Sequence, residues 1–511
     1  MSIVSPSTLD EHGVHQMPAS FMAAALHAVT GAVVGRVLMG IASALLARLL
    51  GPADFGVYGT VIGVVSLGST AALLGQGVVL TKFIPPLRHT DRAECISILL
   101  HVLLLAFAVT AVVSTALVLG AGWLAQTFYA QPGLATFFHW TGLLLLAAGL
   151  YDLGLSGLAA SQMFSQFRQG IVLRNAAILV LSIIGALLLG TGGALAAFGL
   201  ASLISFTWIA RKLLREWGPV RRSVAATLSM RRIGRQVAFA APWFFGSMLV
   251  GVAFWVGNTL LVRYHGLADA GLFNSAFVFY QVILFVPASL TAPIMSFLSS
   301  ATAEGETAFN SLASQNLRLF WLISLPIVTV ASLGGYAVLP VIFGMRYRAA
   351  CVDAGILAAA ALLAALLNVV GPALVSLGRV RAAGALSGIW FVAFVAAAFL
   401  LVPRYGAHGL AFTFLASYAI YTGCIHFRIS SMAGVSWQGT GTLALISAAV
   451  FVAALLLHSL TVGHAAAAGV ALACAALALE WRLALRVEER RLIVRALHKL
   501  SRRTFARPQT T

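Results

Sequence analysis

Long apolar runs broken by short polar stretches recur along almost the whole chain, and many reach the roughly 18–20 residues that cross about 30 Å of hydrocarbon. Divided at the breaks, they predict about fourteen helices, over 21–48, 55–80, 95–120, 136–160, 171–190, 193–212, 237–262, 270–298, 317–341, 353–375, 383–402, 407–427, 439–459 and 463–484. The pattern predicts an all-α integral membrane protein. Composition agrees, because 60% of the 511 residues are hydrophobic and 9% are charged, far from the mixed surface of a soluble domain. The first run is too long for the core of a signal peptide and no Lys or Arg precedes it in the first twenty residues, so it is expected to remain as a helix.

A net charge of +18 would point to nucleic acid in a soluble protein. Here the basic residues read first as topology signals, and no nucleic-acid partner is expected. With the N-terminus inside, the even-numbered connections hold Lys82, Arg88, Arg92, Arg168, Arg174, the cluster Arg211 to Arg235, Arg318, Arg379, Arg381, Arg428 and a basic tail. The other side holds Arg48, Arg263, Arg346, Arg348 and Arg404. This asymmetry, about five to one, places both ends in the cytoplasm. From Trp481 the tail alternates Arg with Leu, Val and Ile, and reads either as an amphipathic helix on anionic lipid or as a solvated tail that only sets orientation. Cys95, Cys351, Cys424 and Cys474 lack CxxC spacing and read as small hydrophobes, not as disulfides or metal ligands.

Two polar corners repeat. ARLLGPADFGVY (47–58) and VRYHGLADAGLF (262–273) align with Arg48 on Arg263, Gly51 on Gly266, Asp54 on Asp269 and Gly56 on Gly271. In each, the first glycine is expected to end a helix, the aspartate to cap the next, and the second glycine to allow close packing. The copies lie an even number of helices apart and therefore point the same way through the membrane, which describes parallel repeats. A fainter echo pairs GALAAFGLA (193–201) with GAHGLAFTFLA (406–416). The predicted organisation is a cytoplasmic tail (1–20), a six-helix lobe (21–212), a basic linker (213–236), a second six-helix lobe (237–430), an appended helix pair (431–484) and a basic cytoplasmic tail (485–511).

The run RVLMGIASALLARLLGPADFGVYGTVIGVVSLGSTAALLGQGVVLTKFIP resembles the first two helices of bacterial polysaccharide flippases of the Wzx type, in the superfamily that also holds MATE drug exporters and the lipid II flippase. RYHGLADAGLF resembles that family's corner between helices seven and eight, and LVPRYGAHGLA its corner between eleven and twelve. The resemblance covers roughly 20–430. It implies a two-lobed, alternately opening transporter of the inner membrane that flips undecaprenyl-diphosphate-linked oligosaccharide from the cytoplasmic to the periplasmic leaflet. Its expected partners are the lipid-linked oligosaccharide and the polymerase and export machinery of O-antigen, capsule or exopolysaccharide, and its expected state is a monomer. The alternative is a MATE-like cation-coupled antiporter, which needs a carboxylate-rich cavity.

Flipping a diphosphate-bearing sugar lipid calls for a polar cavity with a few cations, and arginine suits it because its planar fork binds phosphate bidentately. Arg36, in GAVVGRVLMG, lies near the middle of the first helix, where a charge costs roughly 2.5–3.5 kcal/mol. It reads as a diphosphate or sugar contact, or as a snorkelling or helix-paired arginine. Asp152, in GLYDLGLSG, is either its structural partner or a group that couples transport to an ion gradient. Asn258 stands where many members of that family carry aspartate, which removes one cation ligand. Lys82 closes the second helix as a first diphosphate contact or as an inner-face anchor. Pro242 is expected to kink helix seven, and His101, His139, His408 and His458 read as interfacial histidines. Gly31 with Gly35, and Gly59 with Gly63, have the GxxxG spacing of close helix packing. No GxxxxGK[ST] loop, DxD pair or GxSxG elbow is present, so neither an enzyme nor a cofactor is predicted.

Overall fold

A computed structural model describes residues 19–87, 90–217, 230–426, 441–457 and 462–484. The tail beyond Ala484, most of the basic linker and His458 lie outside the described residues. The helices are α1 (Ala19–Leu73), α2 (Gln76–Leu87), α3 (Arg92–Leu119), α4 (Ala121–Trp123), α5 (Leu134–Ala160), α6 (Phe164–Trp217), α7 (Met230–Glu304), α8 (Glu306–Leu333), α9 (Gly335–Phe343), α10 (Ala350–Ser376), α11 (Val380–Cys424), α12 (Gly441–Leu456) and α13 (Val462–Leu479). Among the described residues nine helices are long and apolar enough to span a membrane. Four of these are broken midway and cross twice, which with the shorter apolar helix α12 makes fourteen crossings. Helices are the expected solution, since hydrocarbon offers the backbone no hydrogen-bond partner outside its own segment.

The breaks fall on glycines with positive φ. Gly51 (φ 79°, ψ 173°) divides α1 and Gly266 (φ 85°, ψ −177°) divides α7, while Gly190 (φ 60°, ψ −142°) divides α6 and Gly406 (φ 56°, ψ −131°) divides α11. Only glycine takes these conformations without strain. At the first break Pro52 then starts the next helix, where its missing N–H is no loss. The aspartates do not cap as expected. Since the break is at Gly51 itself, Asp54 sits inside the first turn, exposed, with no cap hydrogen bond among the described residues. Asp269 instead lies 3.8 Å from His265 Nδ1 and would meet any side chain added at Gly406.

The chain divides into two compact units, Met1–Trp255 and Val256–Thr511, and the same helix lengths recur in both. Helices α3 and α8 have 28 residues each, and α5 and α10 have 27 each. The corner after α5 carries three hydrogen bonds, from Ser161 N to Gly157 O, Gln162 N to Ala159 O and Met163 N to Leu158 O. Their counterparts after α10 run from Leu377 N to Ala373 O, Gly378 N to Val375 O and Arg379 N to Leu374 O. Gln162 (φ 54°) takes the left-handed position that Gly378 (φ 72°) takes in the second copy.

In the first unit, small residues set the helix spacing, as packing without a hydrophobic driving force requires. A Cβ on Gly31 would lie 2.9 Å from Arg168 Cα, and one on Gly35 would lie 2.7 Å from Ile171 Cγ2, so the first GxxxG pair seats α1 on α6. Nothing lies within 4 Å of the corresponding point at Gly63. A buried cluster of Val79, Leu80, Ile84, Cys95, Ile98, Leu153 and Trp217 packs α2, α3, α5 and α6 together. There the first turn of α3 ties three elements: Arg92 donates to Glu216 O (2.6 Å), Glu94 pairs with Arg232 (2.7 Å), and Asp91 caps through Glu94 N. Gly75 rests against Ala240, and through Pro242 the backbone keeps helical dihedrals. Neighbouring turns supply the hydrogen bonding that a proline removes, which is why helix bundles tolerate it.

The second unit is built round an aromatic cluster in which Phe414 contacts Phe273, Phe277, Tyr280 and Phe394. The appended helices belong to this unit. Trp321 Nε1 donates to Ser447 Oγ (3.0 Å), Thr329 to Glu480 (2.5 Å) and Tyr336 to Ala454 O (3.2 Å).

Candidate functional site

Helix α6 begins at Phe164, seven residues before the predicted span, and this moves Arg174 from the expected connection to about 15 Å inside the helix. Arg318 moves likewise, since α8 starts at Glu306 and places it about 18 Å along. Both helices open with mixed polar and apolar residues, which ended the hydrophobic run early in a sequence reading. The asymmetry of basic residues survives the loss of two.

Arg174 is held on every side. Its Nε donates to Ser202 Oγ (3.1 Å), and Ser202 passes its own proton to Phe198 O (2.9 Å). The guanidinium lies over the Tyr151 ring at 4.3 Å and the Phe198 ring at 4.9 Å. Such cation–π contacts strengthen when desolvated, to about 2 kcal/mol or more. Tyr58, Tyr151 and Phe198 are buried, while Arg174 and Asp152 are each partly open. Among the described residues no arginine nitrogen lies within 4.0 Å of the Asp152 carboxylate. Its carboxylate makes no hydrogen bond among the described residues, and only its main-chain oxygen is used, by Ser156 Oγ (2.9 Å).

Arg36 stands on an exposed stripe of α1 beside Val33 and Val37. Its depth follows from packing: Gly31 abuts Arg168 and Gly35 abuts Ile171 and Asn175, so Arg36 and Arg174 lie at one level on adjacent helices. Lys82 is exposed on α2, and since Gly77 packs on Ser156, it lies level with the C-terminal end of α5. Asn258 belongs to the second unit and is half-buried. Arg48 and Arg263 are exposed at their corners, and Gly56 and Gly271 are buried. Two acids escaped the sequence reading, Asp353 (1% exposed), which pairs with His408 Nδ1 at 2.5 Å, and Glu480 (6%). No group of three or more His, Cys, Asp or Glu suited to a metal occurs among the described residues.

Residues 45–352 match the profile of a family described as polysaccharide biosynthesis protein. The chain belongs to that family. The fold of this polysaccharide biosynthesis protein is similar to the lipid II flippase MurJ in its inward closed conformation, with a TM-score of 0.70 and 13% identity over 89% of this chain and 99% of that one. It is also similar to an inward-facing multidrug resistance MATE family transporter of the MOP superfamily (TM-score 0.62, 16% identity, 82% and 98% covered). A third similar structure is a MOP superfamily transporter from Pyrococcus furiosus (TM-score 0.55, 16% identity, 80% and 96% covered). None of the curated proteins compared with the chain matches it. Both expectations of the sequence, the family and the multi-pass helical fold, hold.

Proposed function

We propose that this family member flips an undecaprenyl-diphosphate-linked oligosaccharide from the cytoplasmic to the periplasmic leaflet of the bacterial inner membrane, as a monomer with both termini in the cytoplasm. The observation that carries the reading is the pair of arginines, Arg36 and Arg174, at one depth on adjacent helices α1 and α6. Two cations inside a membrane are costly to insert and support an anionic, head-grouped cargo. Membership of a polysaccharide biosynthesis family and a fold similar to a lipid II flippase support the same cargo class.

In this reading Arg36 meets the diphosphate and Lys82, at the inner end, meets it first. Asn258 offers no acid where many members of the family it resembles carry aspartate, so a cation-coupled antiporter is the weaker reading. The test is a reconstituted flipping assay with the oligosaccharide lipid on one leaflet and a membrane-impermeant glycosidase on the other. The parent protein is expected to accelerate exposure of the sugar, and Arg36→Ala to slow it about tenfold or more with insertion unchanged. Equal rates with and without the parent protein overturn the proposal.

A further inference from the structure

The two units share their corners but not the charge on them. Gly190 and Gly406, 216 residues apart, set Leu188 against Arg404 and Leu189 against Tyr405. Gly51 and Gly266, 215 residues apart, set Leu49 against Tyr264. The connection before α5, Tyr129 to Gly133, is uncharged, where the one before the equally long α10 carries Arg346 and Arg348. Leu49, Leu188 and Leu189 are exposed, as are Tyr264, Arg404 and Tyr405. The first unit builds the same corners from apolar or uncharged residues, so the fold does not need these arginines. The offset of 216 also sets Arg174 against Trp390, a second place where charge is not shared.

In the second unit the three corners meet at one end. His265 Nε2 donates to Pro403 O (3.2 Å), and a Cβ at Gly406 would lie 3.1 Å from the His265 ring. His408, just past that break, pairs with Asp353 in the first turn of α10. The turn Met345–Tyr347 is fixed by Tyr347, whose buried ring packs on Phe343 (5.9 Å) and leaves Arg346 and Arg348 exposed on either side. Arg263, Arg346, Arg348 and Arg404 are thus four exposed cations on one end of one unit. The two acids of that end, Asp269 and Asp353, face His265 (3.8 Å) and His408 (2.5 Å). Among the described residues no carboxylate oxygen lies within 4.0 Å of Arg346, Arg348 or Arg404. The topology bias gathers cations at the opposite ends of the helices, so orientation does not account for these.

We propose that Arg346, Arg348 and Arg404, at this end of the second unit, bind the phosphate of a lipid head group. Exposed Tyr264 and Tyr405, each next to an arginine, put the end at the depth of the aromatic belt, where head groups lie. Arginine stems run along apolar surface while their planar forks take phosphate oxygens bidentately. Phosphate supplies the negative charge that this end lacks, and a basic surface at head-group depth selects anionic lipid. In the orientation proposed above the site faces the outer leaflet. The inference goes beyond the flippase reading and does not depend on it. Two sources share the chemistry, a bilayer phospholipid and the diphosphate of the carried lipid.

The test is native mass spectrometry of the full chain in detergent, with phosphatidylglycerol, undecaprenyl diphosphate and diacylglycerol as probes. The parent should retain the two phosphate lipids over diacylglycerol. Arg346→Gln/Arg348→Gln/Arg404→Gln should weaken phosphatidylglycerol about tenfold or more and leave diacylglycerol unchanged. Arg404→Leu/Tyr405→Leu copies the first unit, should fold, and should show part of that loss. Arg48→Gln, at the matching corner of the first unit, should show none. A loss confined to undecaprenyl diphosphate, measured with Arg36→Ala and Lys82→Ala in place, also supports the site and makes the carried lipid its occupant. Equal retention by the parent and the triple variant overturns the site, as does a loss that includes diacylglycerol. The flipping assay is scored separately: a parent that does not flip, yet shows the selective loss, ends the flippase reading and leaves this site standing.

Discussion

Gly190 and Gly406, 216 residues apart, break their helices at almost the same dihedral angles, and in each unit a later glycine closes the corner. Gly193 presses on Gly185 O and Gly409 on Leu401 O, pairs that share that offset. The surroundings differ. A Cβ at Gly190 meets nothing within 4 Å, whereas one at Gly406 would lie 2.7 Å from Asp269 Oδ2 and 3.1 Å from the His265 ring. Gly190→Ala should cost about 1 kcal/mol through its positive φ alone, and Gly406→Ala about 2–4 kcal/mol. Thermal unfolding in one detergent should rank them in that order, and equal shifts would show that the contacts at Gly406 carry no weight.

Two glycines of the same spacing separate packing from chance. Gly35→Val forces a side chain into Ile171 and Asn175 and should lose about 1–3 kcal/mol, while Gly63→Ala should be neutral or slightly stabilising. Expression level and monodispersity after extraction measure both.

The pair of Asp353 and His408 joins a buried acid to a half-exposed imidazole. His408→Ala leaves the carboxylate without its partner and should destabilise by about 1–3 kcal/mol, whereas Asp353→Leu/His408→Leu removes both groups and should cost less. A larger loss in the double variant would show that the pair is not what stabilises this corner.

Glu94 and Arg232, at the start of α3 and of α7, are 34% and 41% exposed, so solvent screens them. Either alanine variant should lose under about 1 kcal/mol, and the swap Glu94→Arg/Arg232→Glu should recover part of it. A double-mutant cycle on chemical unfolding reads the coupling directly.

The repeated corners and the first GxxxG pair were legible in the sequence because glycine marks places where the backbone needs it, whatever surrounds them. Arg174 was not, since hydropathy finds where a greasy run becomes pure and not where a helix begins, and the polar SQMFSQF stretch delays that point by seven residues. Asp353 and Glu480 lie within the spans 353–375 and 463–484 but at their ends, where a lone acid reads as part of the polar boundary and its burial cannot be seen from the sequence. The capping role expected of Asp54 and Asp269 failed by a register of three residues, because the glycine that ends one helix is also the cap of the next.

The matching spans of the two units imply that length is their inherited ruler. An extra residue anywhere between Leu134 and Ala160 would turn all that follows by about 100° and lift it by about 1.5 Å, carrying Arg174 off its aromatic seat. The halves are thus free to exchange letters, as Arg174 and Trp390 have done, while the count between corners stays put.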